Sequence, residues 1–263
     1  MRATPYGDIN RLLDSLLSRT QRILAEKLIG FYLYGSLTTG DFDLESSDID
    51  VLAATSDDIS DVEADELREM HRDFVDDNGE WEDRIDVAYL SVAALRTFRS
   101  RRSQMAIISP GEPFHVIEAG RDWLMNWYVV RERGVALFGP PPSAIIDPIT
   151  QEEYVEAVRQ HTMWLGEQVN HGTRAQKRKG QAYAILTMCR ALYTVENGEP
   201  ASKKQTALWL QLRLPQWSTL IQNALVWRQA WREEHVDHAA THAETVRFVN
   251  FVRDQIMAQD AGS

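Results

Sequence analysis

Asp48 and Asp50 stand one residue apart and lead into the apolar run Val51 to Ala54. If Asp48 to Ala54 is a strand, its period of two puts both carboxylates on one face and Ile49 on the other. Two carboxylates side by side on a rigid strand repel each other. A hard divalent cation relieves that repulsion, and Mg²⁺ takes one or two protein carboxylates plus phosphate oxygens. Upstream, the apolar run Gly30 to Leu33 leads into Gly35-Ser36. This pair offers a backbone that a phosphate can approach closely, a hydroxyl and N–H donors. A phosphate cradle joined to metal carboxylates points to nucleotidyl transfer.

Regular elements must position these groups. Ile9, Leu12, Leu13, Leu16, Leu17, Ile23, Leu24 and Leu28 recur at helical spacing, which predicts a helix over 9–28. Phe31 to Tyr34 reads as a buried strand ending at the Gly-Ser turn, and Asp48 to Ala54 as the next strand. An acidic helix is expected over 58–78, a third strand over Asp83 to Leu90, and a short helix capped by Ser91. Residues 98–120 read as irregular, Trp123 to Arg133 as helix and Val135 to Phe138 as strand. Gly139-Pro140-Pro141-Pro142 stops regular structure near the domain boundary. Five helical segments follow, over 152–171, 181–196, 203–212, 220–234 and 239–257, and would form a bundle. The expected fold is therefore α+β: a nucleotidyltransferase domain over 1–149 with a mixed sheet and helices, then a helical domain over 150–263 for acceptor and ATP.

The length of 263 residues accommodates two domains with a substantial core. A composition 44% hydrophobic and 25% charged is that of a globular protein, and no apolar run reaches membrane-spanning length. Met1 to Pro5 has no signal-type apolar segment, and the lone cysteine, Cys189, allows no internal disulfide; both fit a cytoplasmic protein. Cys189 sits in an apolar helix and reads as core. The net charge of −11 disfavours a nucleic-acid substrate, which needs a cationic footprint. It suits a small cationic acceptor, although ordinary acidic solubility would give the same number.

Other clusters read as structural. Thr173 to Gly180 is a basic island that is either a solvated loop or an aid to a triphosphate. His235, His238 and His242 have helical spacing without further zinc-type ligands, which favours a polar helix face. Trp123, Trp127, Trp164, Trp227 and Trp231 are expected in packing, with one or two lining the acceptor site.

Gly35-Ser36 followed by Asp48 and Asp50 resembles the nucleotidyltransferase superfamily that includes DNA polymerase β. That superfamily carries a third carboxylate on a later strand, and Asp86 fits, between Ile85 and Val87. The chain resembles more narrowly the aminoglycoside 3''/9 adenylyltransferases. Leu186 to Thr194 with Gly198 and Ser202-Lys203, and Val246 to Phe251, carry the narrower likeness across nearly the whole chain.

The resemblance implies an enzyme that moves AMP from ATP to a hydroxyl of spectinomycin or streptomycin and so confers resistance. Asp48 and Asp50 would hold Mg²⁺ on the ATP phosphates. Gly35, Ser36 and Ser47 would hold the nucleotide. Asp86 would accept the acceptor's proton, share a second Mg²⁺, or both. Arg190 and Lys203 would serve the triphosphate across a cleft, and the chain would act as a monomer without nucleic acid or membrane. Three departures stand out. The family's base is Glu where this chain has Asp86. Its drug-binding acid and imidazole fall at Gly180 and Tyr183, so Glu153, Glu167 or Asp83 are the alternative acceptor groups. Its streptomycin-linked Trp and Asp have no secure counterpart, which places spectinomycin first. Two other readings remain: the same chemistry on another metabolite or a protein side chain, and a nucleotide-binding regulator without turnover. The carboxylate set opposes the latter, since mere binding needs no general base.

Overall fold

The computed structural model describes residues 3–171, 177–229 and 239–258. The chain divides into two compact units, Met1–Phe42 with Ser47–Ile149, and Asp43–Ser46 with Thr150–Ser263. Thr173 to Gln176 of the basic island, Trp231, His235 and His238 lie outside the described residues.

The first unit holds helices α1 (Gly7–Leu24), α2 (Ser36–Thr39), α3 (Asp61–Asp77), α4 (Val92–Thr97) and α5 (Leu124–Arg133). Its strands are β1 (Leu28–Tyr34), β2 (Ile49–Thr55), β3 (Ile85–Ser91), β4 (Ser103–Ser109), β5 (Glu112–Ala119) and β6 (Val135–Phe138). They form one mixed sheet in the order β5-β4-β3-β2-β1-β6. Only β2 and β3 pair in parallel. A parallel pair needs a crossover, and α3 supplies it. Ser60 starts α3 with a capping box: its side chain accepts from the Glu63 N–H while Glu63 accepts from the Ser60 N–H.

Phe31, Leu33, Ile49, Val51, Ala53, Ile85, Val87 and Tyr89 share a buried cluster with Leu13 and Leu16 of α1 and Leu67 and Phe74 of α3. Full burial of one such side chain is worth about 1.5–3 kcal/mol. A slip of one residue would turn this whole set to the other face, so the apolar pattern fixes the register. The same pattern fixes where the acids point. Asp50 and Asp86 alternate with the cluster and share the opposite face with Tyr32, Leu52 and Ala88, all fully buried. Helix α5 lies against β1.

Residues 98–120 are the main correction to the sequence reading. Most of them form the β4–β5 hairpin, not an irregular stretch. The signal is weak because β5 shows no clean period of two, with buried Phe114 and Ala119 among partly exposed Glu112, His115 and Ile117 and exposed Val116 and Glu118, and because it carries Pro113. Proline is tolerated there because β5 is an edge strand. Leu28 is a second correction. It opens β1, because α1 ends at Leu24 and Ala25 takes a positive φ of 45°.

The second unit contains α6 (Gln151–His171), α7 (Arg178–Asn197), α8 (Lys203–Arg213), α9 (Ser218–Gln229) and α10 (His242–Ala258). Helix α7 packs against the other four. Ala182, Ile185, Leu186, Met188, Cys189 and Leu192 are all buried, as expected of a helix enclosed on most sides. It ends at Gly198, whose φ of 77° favours glycine. The buried Gln181 amide joins α7 to α10 by accepting from Thr241 Oγ1 at 2.7 Å and Thr245 Oγ1 at 3.1 Å.

Candidate active site

The register sets the site. Tyr34 pairs with Asp50 across β1–β2, and Asp50 pairs with Asp86 across β2–β3. Directly paired residues project from the same face of a sheet. Asp48 lies just before β2. On the far side, Ser109 Oγ donates to Asp86 Oδ1 at 3.2 Å, and Ser109 pairs with Glu112. Tyr34, Asp50, Asp86, Ser109 and Glu112 thus make a row across five strands. Sequence reasoning found the two aspartates but missed Ser109 and Glu112, because its irregular reading of 98–120 hid the hairpin that carries them.

The Gly35 turn is shaped around Asp50. Gly35 adopts φ 72° and ψ −144°, which side-chain-bearing residues rarely adopt. A Cβ there would lie 2.0 Å from Asp50 Oδ2. The Gly35 carbonyl accepts from the Thr38 N–H at 3.2 Å, Thr38 Oγ1 at 3.0 Å and Thr39 Oγ1 at 3.2 Å. Ser36 opens α2 beside it. Ser47 is buried, and its carbonyl accepts from the Arg84 guanidinium.

The electrostatics follow from this crowding. Burial pushes the Asp86 carboxyl up to about 7; the charges of Asp48 and Glu112 add to the rise, and the Ser109 hydrogen bond opposes it. Burial, and then the charges of Asp86 and Asp50, raise the Tyr34 phenol well above its ordinary value. The ionised row is therefore strained, and either a proton or a cation relieves it. Among the described residues no three carboxylate, imidazole or thiol side chains close into a ready-made metal cage. Mg²⁺ does not require one, since it binds through one or two carboxylates and completes its shell with water and phosphate oxygens. Asp48 and Asp86 repel each other and Asp50 stands in register beside Asp86; these hard oxygen donors fit Mg²⁺.

The other candidates belong to other elements. Arg190 sits on α7; burial lowers the pKa of His161 on α6, and the Arg190 charge lowers it further. Lys203 is the first residue of α8, with Nζ 5.9 Å from the Tyr183 ring centroid. Gly180 lies in the first turn of α7, and Tyr183 is half exposed. Glu153 accepts from the Thr150 N–H at 2.9 Å, and Asp83 accepts from the Gly111 N–H, so each is engaged in local structure. Glu167 is exposed on α6. Trp127 and Trp227 are buried and Trp123 stacks on Trp127, whereas Trp164 is half exposed. Cys189 is buried, which fits its reading as core.

A mixed sheet that sets two carboxylates in register on parallel neighbours, beside a Gly-Ser turn, defines a nucleotidyltransferase fold. The comparisons with known proteins narrow this class. The sequence model described as "Aminoglycoside adenylyltransferase, C-terminal domain" matches residues 144–255. An aminoglycoside (3'')(9) adenylyltransferase of Escherichia coli is 25% identical over 97% of this chain and 98% of its own length. One from Rhizobium radiobacter is 29% identical over 136 residues, 48% of this chain and 45% of that protein, so the match spans about half of that relative. The crystal structure of spectinomycin adenyltransferase AAD(9) from Enterococcus faecialis with ATP and spectinomycin superposes with a TM-score of 0.72. The match covers 93% of this chain and 98% of that one, at 14% identity, and shows a shared fold. Residues 144–255 match the C-terminal domain of the aminoglycoside adenylyltransferases, and the chain is similar over nearly its whole length to aminoglycoside (3'')(9) adenylyltransferases; it is a nucleotidyltransferase.

Proposed function

We propose that this enzyme transfers AMP from Mg-ATP to a hydroxyl of a cationic aminocyclitol or aminoglycoside, and that it confers resistance to such drugs. The observation that carries the reading is the register pair Asp50–Asp86 with Asp48 beside it, set against the Gly35 turn. Bound Mg²⁺ would neutralise the phosphate charge that grows as the leaving group departs. Asp48 and Asp50 would hold the metal. The backbone of Gly35 and Ser36, together with Ser47, would hold nucleotide phosphates. Asp86 would take the proton of the attacking hydroxyl, and its raised affinity for protons suits that role near neutral pH. Ser109 leaves Asp86 Oδ2 as the second oxygen for the acceptor. Arg190 and Lys203 are proposed, from family likeness, as cations for the triphosphate.

Spectinomycin is the first acceptor proposed. Gly180 and Tyr183 supply neither a carboxylate nor an imidazole, so its amines and hydroxyls would find partners elsewhere. The net charge of −11 favours a cationic ligand. A monomer acting on small molecules, without nucleic acid, belongs to the same proposal. The test is pyrophosphate release from Mg-ATP by purified protein with spectinomycin, streptomycin and other polyamines, beside resistance in a sensitive host. Release with spectinomycin and not streptomycin is expected. Modification of streptomycin alone would reverse the preference, and turnover of neither, with ATP bound, would remove the drug assignment.

A further inference from the structure

We propose that Arg84 is the positioning residue of the metal carboxylates, clamping the backbone on both sides of Asp48. The inference rests on the nucleotidyltransferase reading above. Asp50 belongs to β2 and is held by the ladder, whereas Asp48 lies one residue outside it. A carboxylate at such a position needs another restraint, because metal ligation tolerates displacements of only about 0.5 Å.

Arg84 supplies that restraint from two directions. Its Nε and Nη2 both donate to the Ser47 carbonyl, at 3.1 and 2.6 Å. Its own carbonyl accepts from the Ile49 N–H at 2.9 Å. Ser47 and Ile49 flank Asp48, so one residue ties down the chain immediately before and after it. Arg84 is 7% exposed and its guanidinium lies 4.4 Å from the Trp81 ring centroid. Burying a charge is costly, and the partners of this one include a backbone carbonyl and an aromatic face. A planar fork can stack and donate twice at once; a lysine ammonium cannot. Arg84 also immediately precedes β3, two residues before Asp86. The same clamp therefore sets the separation of Asp48 from Asp86, carboxylates that lie 38 positions apart in the chain by subtraction of their numbers.

The experiment compares wild type, Arg84→Gln and Arg84→Lys. Mn²⁺ stands in for Mg²⁺ in the presence of a non-hydrolysable α,β-methylene ATP analogue. Metal affinity is read by electron paramagnetic resonance, well below each variant's melting midpoint. Loss of an outer-shell partner typically weakens metal affinity by about 10–100-fold. Arg84→Gln is expected in that range, with Arg84→Lys between it and wild type because one donor returns. A purely structural role would lower the melting midpoint and leave Mn²⁺ affinity alone; wild-type affinity in both variants overturns the inference. Should Arg84→Gln fail to fold, Arg84→Lys decides by itself, and wild-type affinity there has the same force. Wild-type protein that binds no Mn²⁺ with the nucleotide would refute the nucleotidyltransferase reading as well, which separates the two failures.

Discussion

Asp86→Asn should make the protein more stable while abolishing its turnover. The Asp86 carboxyl is raised from 3.8 to about 7 in the folded chain, with burial the largest cause. Its folded value lies above its unfolded value, so between these two the folded state binds more protons. Stability therefore falls as pH rises from about 4 to about 7 and is level beyond, the reverse of a salt-bridged carboxylate. Each unit corresponds to about 1.36 kcal/mol, which sets an upper bound of about 4 kcal/mol at pH 8. Solvent reaching this partly exposed group screens the charge and lowers the expected figure to about 1–3 kcal/mol. Asparagine cannot ionise, and its carbonyl can still accept from Ser109. The mutant should gain that amount at pH 8 and little at pH 4. For a chain of this size the gain corresponds to a midpoint higher by about 2–10 °C. Differential scanning fluorimetry in EDTA at both pH values reads the difference directly. Equal effects at the two pH values, or destabilisation at pH 8, would refute the claim that the carboxylate row is strained.

Three further outcomes follow from the same geometry. Asp48→Asn or Asp50→Asn should each eliminate adenylyl transfer with an unchanged circular dichroism spectrum; near wild-type transfer in either would dismiss that residue as a metal ligand. Gly35→Ala forces a Cβ onto the Asp50 carboxylate at a positive φ, and should cost on the order of 1–3 kcal/mol in urea denaturation together with most of the turnover. Lys203→Ala should raise the Michaelis constant for ATP more than that for the acceptor, and a steady-state titration showing neither change would release Lys203 from the nucleotide.

The parts legible in the sequence were those with a local signal. Strands β1, β2 and β3 are apolar runs flanked by turn or acidic residues, and Asp50 and Asp86 stand at their ends. Helix α3 has both a capping pair and helical periodicity. The β4–β5 hairpin was missed because its buried and exposed residues follow no clean period of two and Pro113 interrupts its second strand. With it went Ser109 and Glu112, whose relation to Asp86 exists only in the sheet register. Arg84 fell inside the strand read over Asp83 to Leu90 with no role of its own, because its bonds to Ser47 and Ile49 reach across 35 or more positions, for which the sequence carries no periodic sign. The vacancies at Gly180 and Tyr183 were legible; the groups that would replace them were not, since partner choice across a folded surface is not written in spacing.

The enclosure of α7 turns its one thiol into a clock. Cys189 is fully buried, and burial pushes its pKa up, while the reactive species is the thiolate. An aromatic disulfide reagent can therefore reach it only when the helices around α7 part. Because the chain has one cysteine, every modification event counts an opening of the helical unit and none of the sheet. Labelling rates with and without nucleotide would measure how far ligand binding quiets that breathing, on a timescale that melting experiments do not sample.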